Sequence, residues 1–176
     1  MKLTQCLGVL GALARALAAQ SGSPPHIDST WLATDVATKT VQFQLIAGYS
    51  GLNGALNFNG FGDGGLTLTV PVGWHVVLHF TNHDGMLPHS AAVIADGPVP
   101  AVTASISPAF SQAVTLKLQE GLTSTEHDDL KFVADTAGSY LIICGVPGHA
   151  VSGMWIRLKA DGSVERASLT ETTREP

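Results

Sequence analysis

Between Tyr140 and Leu158 the chain alternates apolar residues at every second position, breaks off, and alternates again. Tyr140, Ile142 and Cys144 share one face of the first run, and Met154, Ile156 and Leu158 share one face of the second. Period two is the mark of half-buried β-strands. The break reads Cys144-Gly145-Val146-Pro147-Gly148-His149-Ala150-Val151-Ser152-Gly153-Met154. Its glycines relieve backbone strain and Pro147 stiffens it, as a tight loop requires. The chain must therefore leave a core on an inward cysteine and re-enter it on an inward methionine. A histidine lies midway, with four residues between each of the three side chains and the next.

The same alternation recurs upstream. Val41, Phe43 and Leu45 share a face, as do Leu66, Leu68 and Val70. Trp74, Val76, Leu78 and Phe80 form an apolar row, with His75, Val77, His79 and Thr81 turned away. Val114, Leu116 and Leu118 alternate with Thr115, Lys117 and Gln119. Asn59-Gly60, Asp63-Gly64-Gly65, Pro71-Val72-Gly73, Asp84-Gly85, Ala137-Gly138 and Asp161-Gly162 punctuate these runs as turns. No long helical pattern interrupts them. Short strands at this spacing predict an all-β sandwich of antiparallel or mixed strands.

The 176 residues fit one domain with termini. Residues 1–19 read as an export signal: a short basic start, the apolar run Leu7 to Leu13, and small residues with candidate cuts after Ala18 or Ala19. Arg15 interrupts this segment, and the run is far shorter than the ~20 apolar residues of a membrane span. A cleaved signal is expected rather than a membrane tether. Residues 20–34 read as a linker, 35–160 as the domain, and 161–176 as a polar tail. Removing the signal removes Cys6 and leaves Cys144 as the one cysteine, so no intrachain disulfide can form. A lone thiol is a liability in an oxidising compartment unless something occupies it. A periplasmic or secreted location follows. The formal charge of −5 argues against nucleic acid, whose binders carry a basic face.

A metal would occupy the thiol. Cys144, His149 and Met154 lie on one loop, and His89 in Leu87-Pro88-His89-Ser90 supplies a second imidazole from a neighbouring strand end. Two histidines, a cysteine and a weak axial methionine form the ligand set of a blue-copper site. Soft sulfur suits Cu(I) and imidazole suits Cu(II), so a mixed set serves both oxidation states. Apolar neighbours (Met86, Leu87, Pro88, Val146, Pro147, Val151) would exclude water and favour the less charged Cu(I). Singly, each residue has an ordinary reading: a buried small hydrophobe, a core methionine, a surface histidine. The joint pattern favours copper. His75, His79 and His83 recur every four residues, ~13 Å apart on a strand at about 3.3 Å per residue. No single metal bridges that distance, so they read as solvent-facing. Glu126-His127-Asp128-Asp129 reads as a solvated acidic loop.

At these residues the chain resembles the cupredoxins, and among them the sulfocyanins, with rusticyanin as a near relative. The likeness runs through Phe58-Asn59-Gly60, Leu66 to Trp74, Thr81-Asn82, Leu87 to Ser90, Gly138-Ser139-Tyr140 and Cys144 to Trp155. It implies a Greek-key sandwich with one type 1 copper bound by His89, Cys144, His149 and Met154. It also implies that Ser90 supports the thiolate by hydrogen bonding and that His149 is the electron port. Electron transfer between redox proteins, such as cytochromes or a terminal oxidase, is the implied function, in a monomer.

Two other classes compete. A copper-trafficking module would use methionine- or histidine-rich stretches, yet the chain has only three methionines, one of them Met1. A copper enzyme needs further centres, normally built from His-x-His pairs, and none occurs. No Gly-x-Ser-x-Gly elbow supports a hydrolase. An electron carrier that turns over no substrate is the expectation.

Overall fold

The computed structural model describes residues 25–101 and 106–172, so the expected signal at residues 1–19 lies outside the described residues. Among the described residues nine strands form two layers: β1 (Leu32–Asp35), β2 (Thr40–Ala47), β3 (Leu66–Pro71), β4 (His75–Asn82), β5 (Ala92–Ala95), β6 (His127–Val133), β7 (Gly138–Ile143), β8 (Trp155–Asp161) and β9 (Ser168–Glu171). Among the described residues the only helical pieces are two 3-10 turns, Ser29–Trp31 and Leu52–Ala55.

One sheet runs β1-β2-β4-β6 and the other β5-β7-β8-β3-β9. Both are mixed: β2 pairs with β4 and β3 with β8 in parallel, and all other neighbours are antiparallel. The alternation read from sequence sets the register. Val41, Phe43 and Leu45 on β2 stand beside Val76, Leu78 and Phe80 on β4, all fully buried. Leu66, Leu68 and Val70 on β3, with Ile156 and Leu158 on β8, close the same core from the other layer. Burying one such side chain contributes roughly 1.5–3 kcal/mol. Strand β7 is covered on both faces: Tyr140 and Ile142 join the main core, and Leu141 and Ile143 a smaller cluster with Ala92, Ile94 and Ala150.

Asn59 shows why Phe58-Asn59-Gly60 is informative. Its backbone adopts φ 54°. Its side chain accepts from Ile46 N at 3.0 Å and donates to Gln44 O at 2.8 Å, standing in for a neighbouring strand along β2.

Four expectations are corrected. Val114 to Gln119 is not a regular strand: only an isolated bridge joins Val114 to Ala92. Thr115 turns inward there because its hydroxyl accepts from Ala91 N at 3.1 Å, which throws Leu116 out to 73% exposure. The acidic run at 126–129 is not a loop throughout, because His127, Asp128 and Asp129 open β6 and pair with β4. Their charges sit at the less buried positions, while Leu130 and Phe132 fill the core. The tail is not loose over its whole length: Ser168–Glu171 pairs antiparallel with β3. A largely polar sequence forms this edge strand through its backbone ladder to β3, with Leu169 packed against the core. Finally, the folded body starts inside the expected linker, with Trp31 buried and β1 beginning at Leu32.

Candidate metal centre

The loop after β7 and the segment after β4 meet at one end of the sandwich. Cys144 follows directly on β7 and is 1% exposed. Its N–H donates to Met154 O at 3.1 Å, and Met154 N–H donates to His149 O at 3.1 Å. These two bonds tie both ends of the loop and its midpoint together. His149 N–H donates to Val146 O at 3.1 Å, which tightens the turn before it. The side chain of Met154 is fully buried in the cluster that also holds Cys144.

His89 arrives from the other side. Its backbone forms a bridge with Leu122, at 3.0 Å from His89 N and 2.7 Å from Leu122 N. Gly121 makes this approach feasible. It adopts φ +76°, and a Cβ there would lie 2.8 Å from His89 N and 2.9 Å from the Pro88 carbonyl carbon. Any other residue would push His89 away.

The result is a convergence of three donors. One ligand atom each from His89, Cys144 and His149 lies within 4.8 Å of the others. Cys144 Sγ is 3.6 Å from His149 Nδ1, and the two imidazole centroids are 5.2 Å apart. His89 Nε2 meets Asp84 Oδ2 at 3.0 Å, whereas its Nδ1 is buried without a hydrogen-bond partner among the described residues. Buried polar atoms are nearly always partnered, so such an orphan marks a place for an absent ion or water. Ser90 lies behind the sulfur: its N–H approaches Cys144 Sγ at 3.5 Å and its Oγ lies 3.9 Å away. That Oγ donates to Leu118 O at 2.7 Å and accepts from Gly145 N at 3.0 Å. Ser90 thereby fastens the two site segments to each other.

Residues 28–168 match the model of the Sulfocyanin (SoxE) domain. The chain is 30% identical over 139 residues to the sulfocyanin of Sulfolobus acidocaldarius, covering 73% of this chain and 67% of that one. It belongs to the sulfocyanin family. Among solved structures it is similar to auracyanin B (TM-score 0.50, 23% identity, 69% of this chain and 88% of that one). It is also similar to rusticyanin from Thiobacillus ferrooxidans (TM-score 0.49, 19% identity, 75% of this chain and 88% of that one). The auracyanin likeness shows the fold, a cupredoxin sandwich. Rusticyanin and auracyanin A are copper proteins, the latter a blue one.

The donor set of this sulfocyanin-family chain fits copper: one soft sulfur, two imidazoles and a bare buried nitrogen. Burial pushes the Cys144 thiol up, against the Ser90 and Val146 N–H groups that favour the thiolate. Burial pushes His89 down, opposed by Asp84. His149 is also pushed down by burial, with His89 adding to the effect. Neutral imidazoles are the form that binds metal, and a cysteine must shed its proton to join them.

The other histidines stay apart from this centre. His75 and His83 are exposed. His79 is engaged on the outer face, 2.8 Å from Asp129 and 3.2 Å from Gln42. One residue at the site was not legible as such. Asp84, in a sequence that reads as a simple Asp-Gly turn, holds the far side of His89.

Proposed function

We propose that this chain carries single electrons through one copper ion held by His89, Cys144, His149 and Met154. The carrier works outside the cytoplasm, between redox proteins such as cytochromes or a terminal oxidase. Bound copper supplies one reversible electron by alternating between its cupric and cuprous forms. The residues of the chain supply the rest. Cys144 and His89 are almost fully buried and His149 is half-buried, so only one donor reaches the surface. That arrangement excludes water and leaves the His149 side as the path for an electron. The bridge between His89 and Leu122 and the bonds joining Cys144, His149 and Met154 hold the donors in a fixed frame. A frame that does not rearrange is what fast one-electron exchange needs. Ser90 N–H stabilises negative charge on the sulfur.

The observation that carries this reading is that ligand atoms of His89, Cys144 and His149 lie within 4.8 Å of one another, while His89 Nδ1 is buried with no hydrogen-bond partner among the described residues. It supports carriage rather than catalysis or copper delivery, because a site so enclosed offers no room for a substrate and no open route for handing on a metal. The test is an optical and paramagnetic-resonance spectrum of the copper-loaded protein. An intense visible sulfur-to-copper band with a reversible potential is expected. A colourless Cu(II) form, or ready transfer of copper to an acceptor protein, would overturn it.

A further inference from the structure

Asp84 is a buried carboxylate, 8% exposed, with neither lysine nor arginine paired to it among the described residues. Such a group is costly to bury unless other contacts hold it. Here several do. Its own N–H donates to Asn82 Oδ1 at 2.8 Å, and its Oδ1 accepts from Met86 N at 2.8 Å. Asn82 in turn donates to Leu87 O at 2.9 Å and Leu122 O at 2.8 Å, which ties the Asp84 turn to the bridge that fixes His89. Gly48 packs against the residue at φ +64°, so closely that a Cβ would lie 2.6 Å from Asp84 Cβ. One carboxylate oxygen is thus used locally by the turn, and the other, Oδ2, is left to face His89 Nε2 at 3.0 Å.

We propose that Asp84 is the positioning residue of the metal centre, resting on the copper reading above: its carboxylate accepts the Nε2 proton of His89, keeps the Nδ1 lone pair bare toward the metal, and sets a negative charge one imidazole away from it. The first consequence is a tautomer. A carboxylate can only accept, so in the neutral ring Nε2 carries the proton and Nδ1 does not. The orphaned Nδ1 agrees with this. The second consequence is electrical. An anion on the far nitrogen makes the ring a stronger donor and favours the more highly charged oxidation state. Asp84 therefore lowers the reduction potential, against the apolar surroundings that raise it.

Asn at this position keeps an oxygen acceptor and the shape of the side chain but removes the charge; Ala removes both. The expected result for Asp84→Asn is a blue protein whose oxidation equilibrium shifts about tenfold toward the reduced form, ~59 mV upward for a one-electron couple. Asp84→Ala is expected to lose 10–100-fold in copper affinity, the range typical of such supporting partners. Asp129→Asn, which removes one negative charge from the outer face, controls for overall charge and should leave the potential unchanged. An Asp84→Asn potential equal to that of the wild type, or to that of Asp129→Asn, overturns the electrical role. Nitrogen-15 spectra of the metal-free wild type give a readout independent of copper and of any variant's folding. His89 protonated at Nε2 supports the proposal, and protonation at Nδ1 overturns it. If the wild type with copper shows no blue band, the copper reading fails on its own, and the tautomer still decides what Asp84 does to His89.

Discussion

Two histidines in this molecule lie against aspartates, and their surroundings differ at the second ring nitrogen. His79, on the outer face of β4, meets Asp129 at 2.8 Å through Nδ1 and Gln42 at 3.2 Å through Nε2. Its side chain is 31% exposed and that of Asp129 38%. His89, at the end of the sandwich, meets Asp84 at 3.0 Å through Nε2, and its Nδ1 has no hydrogen-bond partner among the described residues. A carboxylate–imidazole pair is therefore not a metal-orienting device by itself. It becomes one when the ring is buried, the other nitrogen is bare, and further donors lie close to the ring. In water the pair around His79 is already complete, and exposed pairs of that kind are worth little.

The largest break in this contrast comes from the sulfur. Cys144→Ser is expected to abolish the visible band and strong copper binding while keeping the fold, which circular dichroism and a copper titration would check. Retained colour would refute Cys144 as a ligand. A second measurement reads the same contrast through stability. Copper at a thousandfold excess over its dissociation constant should stabilise the wild type by about 4 kcal/mol. For a domain of this size that is roughly 10 °C in melting temperature. The gain should disappear in Cys144→Ser and persist undiminished in His79→Ala. A copper-dependent shift lost in His79→Ala would mean that the outer row binds the metal after all. Without copper, His79→Ala should cost only ~0.2–1 kcal/mol in urea unfolding, as an exposed pair does.

The sequence made the loop side of the site easy to read and the His89 side hard. Cys144 and His149 share one short loop between two strands whose faces alternate cleanly, so the approach of these two follows from period and spacing. His89 showed itself through its imidazole and its place at a strand end, but what supports it did not. Asp84 does form the turn that an Asp-Gly pair suggests, with its Oδ1 on Met86 N. Its other oxygen serves His89, and no local pattern encodes that second use. Of the fold, strands with a strict inward row were legible: β2, β3, β4, β7 and β8. β6 was masked because Asp128 and Asp129 fill its first positions, although Leu130 and Phe132 point inward beyond them. β9 carries little burial signal: Leu169 is its one residue packed against the core, and its ladder to β3 supplies the rest. In 114–119 the apolar alternation was real but only partly used: Val114 and Leu118 pack against the smaller cluster, and Leu116 is exposed. The hydroxyl of Thr115 found the Ala91 backbone, and a satisfied buried polar group outweighed the exposure of Leu116.

The finest test of the contrast is acid and salt on the outer pair. Burial tends to raise Asp129, but His79 and Lys131 beside it outweigh that and hold its carboxyl below the ordinary value. A carboxylate depressed in the folded state adds stability above its unfolded value, near 3.8, and that stability is lost as pH falls through the folded value. Asp129→Asn should therefore be less stable than the wild type by only ~0.2–1 kcal/mol at neutral pH. The difference should shrink toward zero well below pH 4, where the wild-type carboxyl is itself protonated. Molar salt should shrink it as well, because charges on this face are screened over ~3 Å at that ionic strength. Urea unfolding of both proteins at neutral pH and in acid, with and without salt, would measure it. A gap that stays constant across pH and salt would show that Asp129 acts by packing rather than by charge, and the two histidine–aspartate pairs would then differ in kind as well as in depth.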